Sequence, residues 1–343
     1  MRQDARRALC ELSGGHGIAP SIGSMRALIT GGAGFIGSHL ADRLLADGHR
    51  VVLLDDLSTG RYDNIAHLLD REDVEFVLGS ILDEDLVDEV VARCDRVFHL
   101  AAAVGVELIV EQPLESLRTN IRGAEIVLEK AHKHGTPTLV TSTSEIYGKN
   151  DSDTLTETDD RILGSPLKSR WAYSEAKAIE EILAYTYFKE KGLRTVVVRL
   201  FNTVGPRQTG TYGMVIPRFV HQAIRGEPLT VHGDGSQSRC FCHVVDVVAA
   251  LPSLLEHPEA PGQAINLGST EEVTIEQLAH RVVARADSDS KVRFLPYDEA
   301  YEEGFEDMPR RVPDLTRARS LVGFEPTYDL DATIDSVLAE QRG

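Results

Sequence analysis

Between residues 26 and 200 the sequence alternates short runs of apolar and β-branched residues with longer stretches of helical periodicity. The short runs are RALIT, RVVLL, VEFVL, DRVFHL, TLVTS and RTVVVRL, and they are separated by stretches such as GSHLADRLLADG and YSEAKAIEEILAYTYFKEKG. Strands that alternate with helices in this way form a parallel sheet whose two faces are both covered by helices. The pattern therefore predicts an α/β fold built on a doubly wound parallel sheet.

After about residue 205 the rhythm changes. Short isolated strands are separated by stretches rich in Pro and Gly, such as VGPRQTGTYG and GEPLTVHGDGSQSR. We therefore expect a first domain over residues 25–205 and a smaller lobe over residues 206–343, with some late elements returning to the first domain. Residues 1–24 contain the loop-like SGGHGIAPSIGS, and we expect them to form a disordered leader.

The amino-acid composition argues against several classes of function. The formal net charge is -18 with no sustained run of Lys or Arg, which argues against a nucleic-acid partner. No apolar stretch has the length of a membrane span. The four cysteines are too few and too scattered for a disulfide framework, and Cys240 and Cys242 have no companion pair at metal-ligand spacing. We expect a cytoplasmic protein without a bound metal.

A glycine-rich turn, ITGGAGFIGSHL, follows the first predicted strand and opens the first helix. Gly32, Gly34 and Gly37 fit G-x-G-x-x-G, and Gly31 with Gly34 and Gly37 fits G-x-x-G-x-x-G equally well. Glycines let the backbone turn tightly and approach a pyrophosphate, and the N–H groups at the helix start attract phosphates. The strand-turn-helix context thus predicts a Rossmann-type dinucleotide site.

An acidic residue at the end of the second predicted strand indicates which dinucleotide binds. Asp55 in VVLLDD, followed by Asp56, lies close to the expected distance of about 20 residues beyond Gly37. A carboxylate there can accept hydrogen bonds from ribose hydroxyls and would repel a 2′-phosphate. We therefore expect NAD rather than NADP.

A Tyr and a Lys in YSEAK suggest acid–base chemistry. Tyr173 and Lys177 are spaced i, i+4 and would lie on one face of a helix. A Tyr hydroxyl has a pKa of about 10, and a nearby ammonium favours its phenolate form. Such pairs also arise by chance, but here the pair follows STSE, at the carboxyl edge of the predicted sheet, where ligands bind. Thr143 in STSE could hydrogen-bond the reacting oxygen.

These motifs together resemble one enzyme family. TGGAGFIGSHL, HLAAAV with Asn120, STSEIYG, YSEAK and RLFNTVGPR appear in the order typical of extended short-chain dehydrogenases/reductases that act on nucleotide sugars. The resemblance spans about residues 25–340. It implies that residues 25–205 bind NAD and that residues 206–343 mainly bind a nucleotide sugar. It also implies oxidation of the sugar at C4 to a 4-keto intermediate, usually followed by return of the hydride.

The resemblance also implies roles for individual residues. Tyr173 would be the base at O4, Lys177 would steady Tyr173 and the nicotinamide ribose, and Thr143 would share the hydrogen bond to O4. Cofactor contacts are expected from Gly31, Gly34, Phe35, Ile36, Gly37, Asp55, Asp56, Ser80, Ile81, Leu100, Ala101, Ala102, Asn120, Tyr173 and Lys177. Substrate contacts are expected from Asn202 and Arg239 at the diphosphate, Val215 and Arg218 at the base, and Arg311 near the sugar.

Three reactions share the C4 oxidation, and Ser144 and Glu145 bear on the choice. The 4-epimerases usually have small or uncharged residues there, and the 4,6-dehydratases often have Asp-Glu, although the GDP-mannose type has Ser-Glu. The UDP-glucuronate decarboxylases typically have Thr-Ser-Glu, as here, and EDMPRRVPDLTRA with Arg311 also resembles them. We therefore expect decarboxylation of UDP-glucuronate to UDP-xylose, with a UDP-sugar 4-epimerase and then a 4,6-dehydratase as alternatives.

Some positions depart from the decarboxylase pattern. YSEAKA stands where Tyr-Asp-Glu-x-Lys-Arg is usual, Ser80 stands where an adenine-contacting Asp is expected, and AAAVGVELIVEQP, which is expected to line the sugar pocket, matches neither decarboxylases nor dehydratases. A non-catalytic NAD-binding regulator is the alternative outside the enzymes, but such proteins often lose the Tyr or the Lys. Two long predicted helices, about residues 112–134 and 170–191, suggest a homodimer that pairs them in a four-helix bundle.

Overall fold

We describe the chain from a computed structural model, which covers residues 24–103, 113–168, 171–210, 214–296 and 308–343. The strands are β1 Arg26–Thr30, β2 Arg50–Asp55, β3 Val74–Leu78, β4 Arg96–His99, β5 Thr138–Thr143, β6 Thr195–Leu200, β7 Thr203–Val204, β8 Leu229–His232, β9 Ser238–Cys240, β10 Cys242–His243, β11 Ala264–Leu267, β12 Glu272–Thr274, β13 Val292–Leu295 and β14 Arg310–Arg311. The helices are α1 Phe35–Ala46, α2 Glu84–Ala92, α3 Pro113–His134, α4 Ala172–Lys191, α5 Val215–Ile224, α6 Val244–Glu256, α7 Ile275–Arg285, α8 Thr316–Val322 and α9 Leu330–Arg342. Apart from Ser24, the predicted leader lies outside the described residues.

Seven parallel strands form the central sheet in the order β11-β6-β5-β4-β1-β2-β3. The register places Ile29 of β1 between Leu53 of β2 and Phe98 of β4. The strand order reverses on the two sides of β1, and in sheets of this kind ligands bind at such a point, outside the carboxyl ends of the strands. The predicted α/β doubly wound sheet is confirmed.

Both faces of the sheet are buried because successive strand residues point to opposite sides. On one face Ile29 and Leu53 pack in a core with α1, α6 and α8. On the other face Leu28 and Val52 pack against α2 and α3, and α4 covers β5 and β6 next to them. This double burial explains why the strands read as nearly continuous apolar runs.

The second half of the chain has its own apolar core, in which Phe219 of α5, Leu278 of α7 and Ile334 of α9 are fully buried. Its small sheets follow the orders β12-β9-β14 and β13-β8. The late strand β11 pairs with β6 of the main sheet instead. The division at residues 205 and 206 remains a prediction. Within the described ranges we find no helix with the length and apolar character that a membrane crossing requires.

Candidate active site

The turn after β1 exposes bare backbone, because side chains would not fit there. Gly31 adopts φ 71°, and a Cβ atom on it would lie 2.8 Å from the backbone nitrogen of Ala101. A Cβ on Gly37 would overlap the carbonyl oxygen of Gly31. These two glycines allow α1 to begin directly on the turn, against the loop that follows β4.

The start of α1 is suited to an anion. Gly34 is its N-cap residue, and among the described residues no side chain caps this end and no acidic residue occupies the first turn. The first N–H groups of a helix, including those of Phe35 and Ile36, have no partner within the helix, and the helix dipole makes this end positive. The turn therefore fits the pyrophosphate of a dinucleotide.

Asp55, at the end of β2, ties this turn together. Its carboxylate is buried and accepts hydrogen bonds from the backbone N–H of Ala33 at 2.9 Å and of Leu57 at 2.8 Å. Burial raises the pKa of Asp55, and hydrogen bonds from the backbone N–H groups of Leu57, Ala33 and Gly34 oppose that rise. Each carboxylate oxygen accepts more than one hydrogen bond, so ribose hydroxyls can still bind. The neighbouring Asp56 is exposed and accepts from the backbone and hydroxyl of Ser58.

The remaining predicted cofactor residues lie in loops along the same edge. Ser80 follows β3 and accepts a hydrogen bond from the N–H of Leu82, while Ile81 is buried. Residues 100–102 follow β4, directly beside the glycine turn.

Asn120, on α3, binds the loop after β4. Its amide oxygen accepts from the N–H of Ala103 at 2.8 Å, and its amide nitrogen donates to the Ala103 carbonyl at 3.2 Å. Asn120 thus holds this loop in place, and both its amide oxygen and its amide nitrogen bind Ala103. Most of the segment AAAVGVELIVEQP, which we expected to line the sugar pocket, lies outside the described residues.

The residues after β5 face a buried guanidinium. Thr143 accepts a hydrogen bond from the N–H of Glu145 at 3.2 Å and starts a short 3-10 turn over Ser144–Tyr147. Arg311 donates through Nη1 to the Ser144 hydroxyl at 3.2 Å, and the same Nη1 lies 3.8 Å from Glu145 Oε1. Ser144 and Glu145, which are adjacent in sequence, therefore both meet a residue from the end of the chain.

Arg239 and Arg311 form a buried cationic pair of residues. They are register partners on the adjacent parallel strands β9 and β14, and they are only 6% and 7% exposed. Arg311 Nη2 donates to Asn202 Oδ1 at 3.3 Å, and Asn202 donates to the Cys240 carbonyl. Guanidinium groups bind carboxylates and phosphates well, so this cluster is suited to an anionic ligand.

Arg310 differs from its neighbour Arg311. It is partly exposed and binds both carboxylate oxygens of Glu272, at 2.7 and 2.8 Å. The structure therefore separates two arginines that the sequence alone leaves equivalent. Arg218 lies on α5, with Nη1 2.7 Å from His232 Nε2. Val215 begins the same helix.

Tyr173 and Lys177 lie on α4, which is fastened to the end of β5. The Ser174 hydroxyl donates to the Glu145 carbonyl at 2.9 Å, and Lys177 Nζ donates to the Thr141 carbonyl at 3.0 Å. Lys177 Nζ also donates to Glu180 Oε2 at 2.9 Å. These bonds hold the Tyr/Lys face of the helix against the strand end that carries Thr143.

The pKa of Tyr173 is raised well above its ordinary value by burial, and further by the charges of Glu180 and Glu145. From sequence we expected the Lys177 ammonium to act in the opposite direction. The difference arises because Tyr173 is almost fully buried and two carboxylates act on it. A bound ligand that brings positive charge would favour the phenolate.

The chain matches the model of the NAD dependent epimerase/dehydratase family over residues 27–268. This chain belongs to that family. It is 40% identical, over 88% of its length and 92% of the relative, to a UDP-N-acetyl-alpha-D-glucosaminuronate decarboxylase of Bacillus cytotoxicus. It is 36% identical, over 91% of its length and 72% of the relative, to UDP-glucuronic acid decarboxylase 1 of Danio rerio. The crystal structure of UDP-glucose 4-epimerase with UDP-glucose from Thermotoga maritima superposes with a TM-score of 0.83 at 30% identity, covering 93% of this chain and 99% of that one.

Membership of this family confirms three expectations from the sequence. The chain is an enzyme of the epimerase/dehydratase family, its cofactor is NAD, and its sheet is of the Rossmann type. The glycine turn of this family member fits the dinucleotide, because a Cβ atom at Gly31 or Gly37 would meet the backbone of Ala101 or Gly31 and prevent the close turn at the start of α1.

The structure brings most of the predicted site residues of this epimerase/dehydratase family member into two groups. The first lies around the glycine turn and the ends of β2, β3 and β4. The second joins the end of β5, α4, Asn202 and the strands β9 and β14. Val215 and Arg218 lie apart from both groups, on α5. Tyr147 of STSEIYG belongs to neither group, because it is buried and its hydroxyl binds Asn266 and Arg199.

Sequence reasoning missed Glu180, which is fully buried and binds Lys177. Its position three residues after Lys177 was the only signal, since i and i+3 side chains meet on a helix.

Among the described residues no group of three or more His, Cys, Asp or Glu side chains could hold a metal ion. Cys240 and Cys242 are both buried, and burial raises the pKa of the Cys240 thiol to about 12.

Proposed function

We propose that this enzyme converts UDP-glucuronate to UDP-xylose and CO2. The observation that carries the proposal is the convergence of Ser144 and Glu145 on the buried guanidinium of Arg311. A guanidinium pairs well with a carboxylate, so this cluster suits a sugar that bears a carboxylate at C5. The two relatives named above, both decarboxylases of UDP-linked uronic acids, support the same reaction.

Tyr173 acts first in the proposed reaction, by taking the proton from the sugar O4. When bound, NAD would supply the redox chemistry at C4, as hydride acceptor and then as hydride donor. Thr143 shares the hydrogen bond to O4, and Lys177 steadies Tyr173 and the nicotinamide ribose.

The carboxylate then leaves without further help from a cofactor, because the 4-keto sugar is a β-keto acid. The bond between C5 and the carboxyl carbon breaks, CO2 departs, and the electron pair moves to the C4 oxygen as an enolate. Tyr173 and Thr143 stabilise that oxygen by hydrogen bonding. Ser144 and Glu145 orient the carboxylate, and afterwards they direct the protonation of C5.

The rest of the nucleotide sugar is held by the second half of the chain. We assign Arg239 and Asn202 to the diphosphate, because Arg239 is buried beside Arg311 and carries a fixed charge. Val215 and Arg218, at α5, would line the base pocket. Residues 25–205 then act as the NAD-binding domain and residues 206–343 mainly as the lobe for the nucleotide sugar.

A product assay tests the proposed reaction. The enzyme is incubated with NAD and, in separate reactions, with UDP-glucuronate, UDP-N-acetylglucosaminuronate and UDP-glucose, and the nucleotide products are separated. We expect UDP-xylose and CO2 from UDP-glucuronate. Conversion of UDP-glucose to UDP-galactose with UDP-glucuronate untouched would establish the 4-epimerase, and no change in any substrate would favour a regulator.

UDP-N-acetylglucosaminuronate is the second candidate substrate, because the relative at 40% identity is a decarboxylase named for it. It carries the same carboxylate, so the chemistry at C4 and C5 is unchanged. The ratio of kcat/KM for the two acids in the same assay decides between them.

We also propose that the enzyme is a cytoplasmic homodimer. Ile179, Ile182 and Tyr185 on α4 are 38%, 61% and 50% exposed, and Leu114 on α3 is 76% exposed. An apolar stripe on neighbouring helices is suited to a second copy of the chain. Analytical ultracentrifugation should give a dimer for the native chain and a monomer for Ile182→Glu, and a native monomer would contradict this part of the proposal.

A further inference from the structure

A buried carboxylate lies behind the Tyr173/Lys177 pair. Glu180 has no exposed surface, and its Oε2 accepts a hydrogen bond from Lys177 Nζ at 2.9 Å. Within the described part of the chain no donor reaches its other oxygen, Oε1. Lys177 is itself only 2% exposed and also donates to the Thr141 carbonyl.

Pairing with the buried Lys177 ammonium accounts for Oε2 of this carboxylate, but not for Oε1. A buried carboxylate oxygen that has no donor raises the free energy of the folded state. The next residue, Glu181, shows the usual arrangement, because both of its oxygens bind Arg199, at 2.9 and 2.7 Å. Glu180 has only the Lys177 ammonium, on which the proposed mechanism depends.

We propose that Glu180 is a positioning residue that holds the Lys177 ammonium and sets how much positive charge Tyr173 experiences. The inference rests on the proposed roles of Tyr173 and Lys177. An ammonium has three N–H donors. Thr141 and Glu180 accept hydrogen bonds from two of them. The third N–H therefore has a fixed direction and can donate to a ribose hydroxyl of the cofactor.

The charge of the Lys177–Glu180 pair depends on one proton. With Glu180 ionised the pair is neutral and supports a Tyr173 phenolate weakly, whereas with Glu180 protonated the pair carries one positive charge. The pKa of Glu180 is raised to about 7, because the effect of burial outweighs the opposing effect of Lys177. The support given to Tyr173 therefore changes near neutral pH.

Other titratable groups lie around Tyr173 and the Lys177–Glu180 pair. Burial, together with the Lys177 charge, lowers the pKa of His99, at the end of β4, to about 3, so His99 is neutral near pH 7. Glu145, after β5, acts on Tyr173 in the same direction as Glu180. Glu181 on α4 raises the pKa of Glu180 and is itself paired with Arg199.

Glu180→Gln is the first test, because the amide oxygen can still accept from Lys177 while the negative charge is gone. Without that charge the Tyr173 phenolate forms more readily. We expect the ascending limb of the pH profile of kcat/KM to shift to lower pH by about one unit. Glu190→Gln, an exposed change on the same helix, should keep the native profile.

Glu180→Leu is the second test, because it removes the carboxylate that accepts from Lys177 Nζ, so that the direction of the ammonium N–H groups is no longer fixed. We expect NAD to bind about tenfold more weakly by calorimetry, the loss of roughly one hydrogen bond to a charged group, whereas Glu180→Gln should bind NAD as the native enzyme does. Thermal unfolding of each variant shows whether it is folded.

A spectroscopic titration keeps the inference separate from the identity of the substrate. The tyrosinate absorbance of each protein minus that of its Tyr173→Phe counterpart reports the ionisation of Tyr173 alone. We expect this ionisation at lower pH in Glu180→Gln than in the native enzyme. Coincident titrations, or NAD affinity in Glu180→Leu equal to that of the native enzyme, would overturn the inference even if UDP-glucuronate is the substrate. An untouched UDP-glucuronate with a shifted titration would overturn only the proposed reaction.

Discussion

The glycine turn after β1 and the charged cluster after β5 lie at the same edge of one sheet, yet they are built differently. The turn consists of backbone, which one nearby carboxylate, Asp55, holds through the N–H group of Ala33. The cluster consists of side chains brought from distant parts of the chain, as in the contact between Arg311 and Ser144. Backbone suits a cofactor whose phosphates need N–H donors, whereas side chains supply the charges and protons that the reaction needs.

This contrast predicts how each region responds to mutation. Changes in the cluster should remove chemistry while the protein still binds NAD. Changes in the turn should weaken NAD binding and reduce stability together, because the same backbone binds the pyrophosphate and positions the start of α1.

Tyr173→Phe should have the largest effect. It removes the hydroxyl that takes the O4 proton and leaves the ring in place, so we expect turnover to fall by about 10²- to 10⁴-fold. NAD affinity, measured by calorimetry, should change little. Turnover equal to that of the native enzyme would remove Tyr173 from the mechanism.

Arg311→Lys should lower kcat/KM for UDP-glucuronate by about 100-fold, because a lysine cannot hold Ser144 and Asn202 together or pair with a carboxylate in bidentate fashion. The matched control is Arg310→Lys, whose native ion pair with Glu272 lies at the partly exposed surface. Surface pairs of this kind contribute little, so the control should retain activity. Equal losses in both variants would contradict the assignment of Arg311 to the sugar.

Gly37→Ala should weaken NAD binding by at least about tenfold, because the new methyl group would meet the Gly31 carbonyl oxygen and push α1 away from the turn. Urea unfolding should show a loss of about 1–3 kcal/mol in the same variant, as is common for overpacking. Normal stability together with weak NAD binding would show that the two properties are separable here.

Asp55→Asn should have the smallest effect of the four. At least one of its backbone N–H partners would then face an amide NH₂ group, and the free energy of unfolding should fall by about 1–3 kcal/mol at pH 7. Because the folded-state pKa of Asp55 is raised, ionisation of this carboxyl opposes folding, and the native stability should decline as pH rises from about 4 towards that raised pKa. Asp63→Asn, a change in an exposed ion pair, should unfold as the native enzyme does at each pH.

Much of the fold follows from local patterns in the sequence. The long helices α3 and α4 match the predicted ranges because their periodicity runs over many turns. The glycine turn was equally visible, since strand, glycines and helix are contiguous. The direction of the Tyr173 pKa could not be predicted in this way, because it depends on burial and on Glu145, which is distant in sequence.

By itself the sequence determined the parallel sheet, the glycine turn for NAD and the Tyr173/Lys177 pair. Each of these features is indicated by a local pattern, formed by residues that are close together along the chain. Only the tertiary structure decided that Arg311 rather than Arg310 faces Ser144, and that Glu180 lies buried against Lys177 with one oxygen that no described donor reaches. Burial and long-range pairing govern these features, and both depend on how distant segments pack rather than on the residues beside them in the chain.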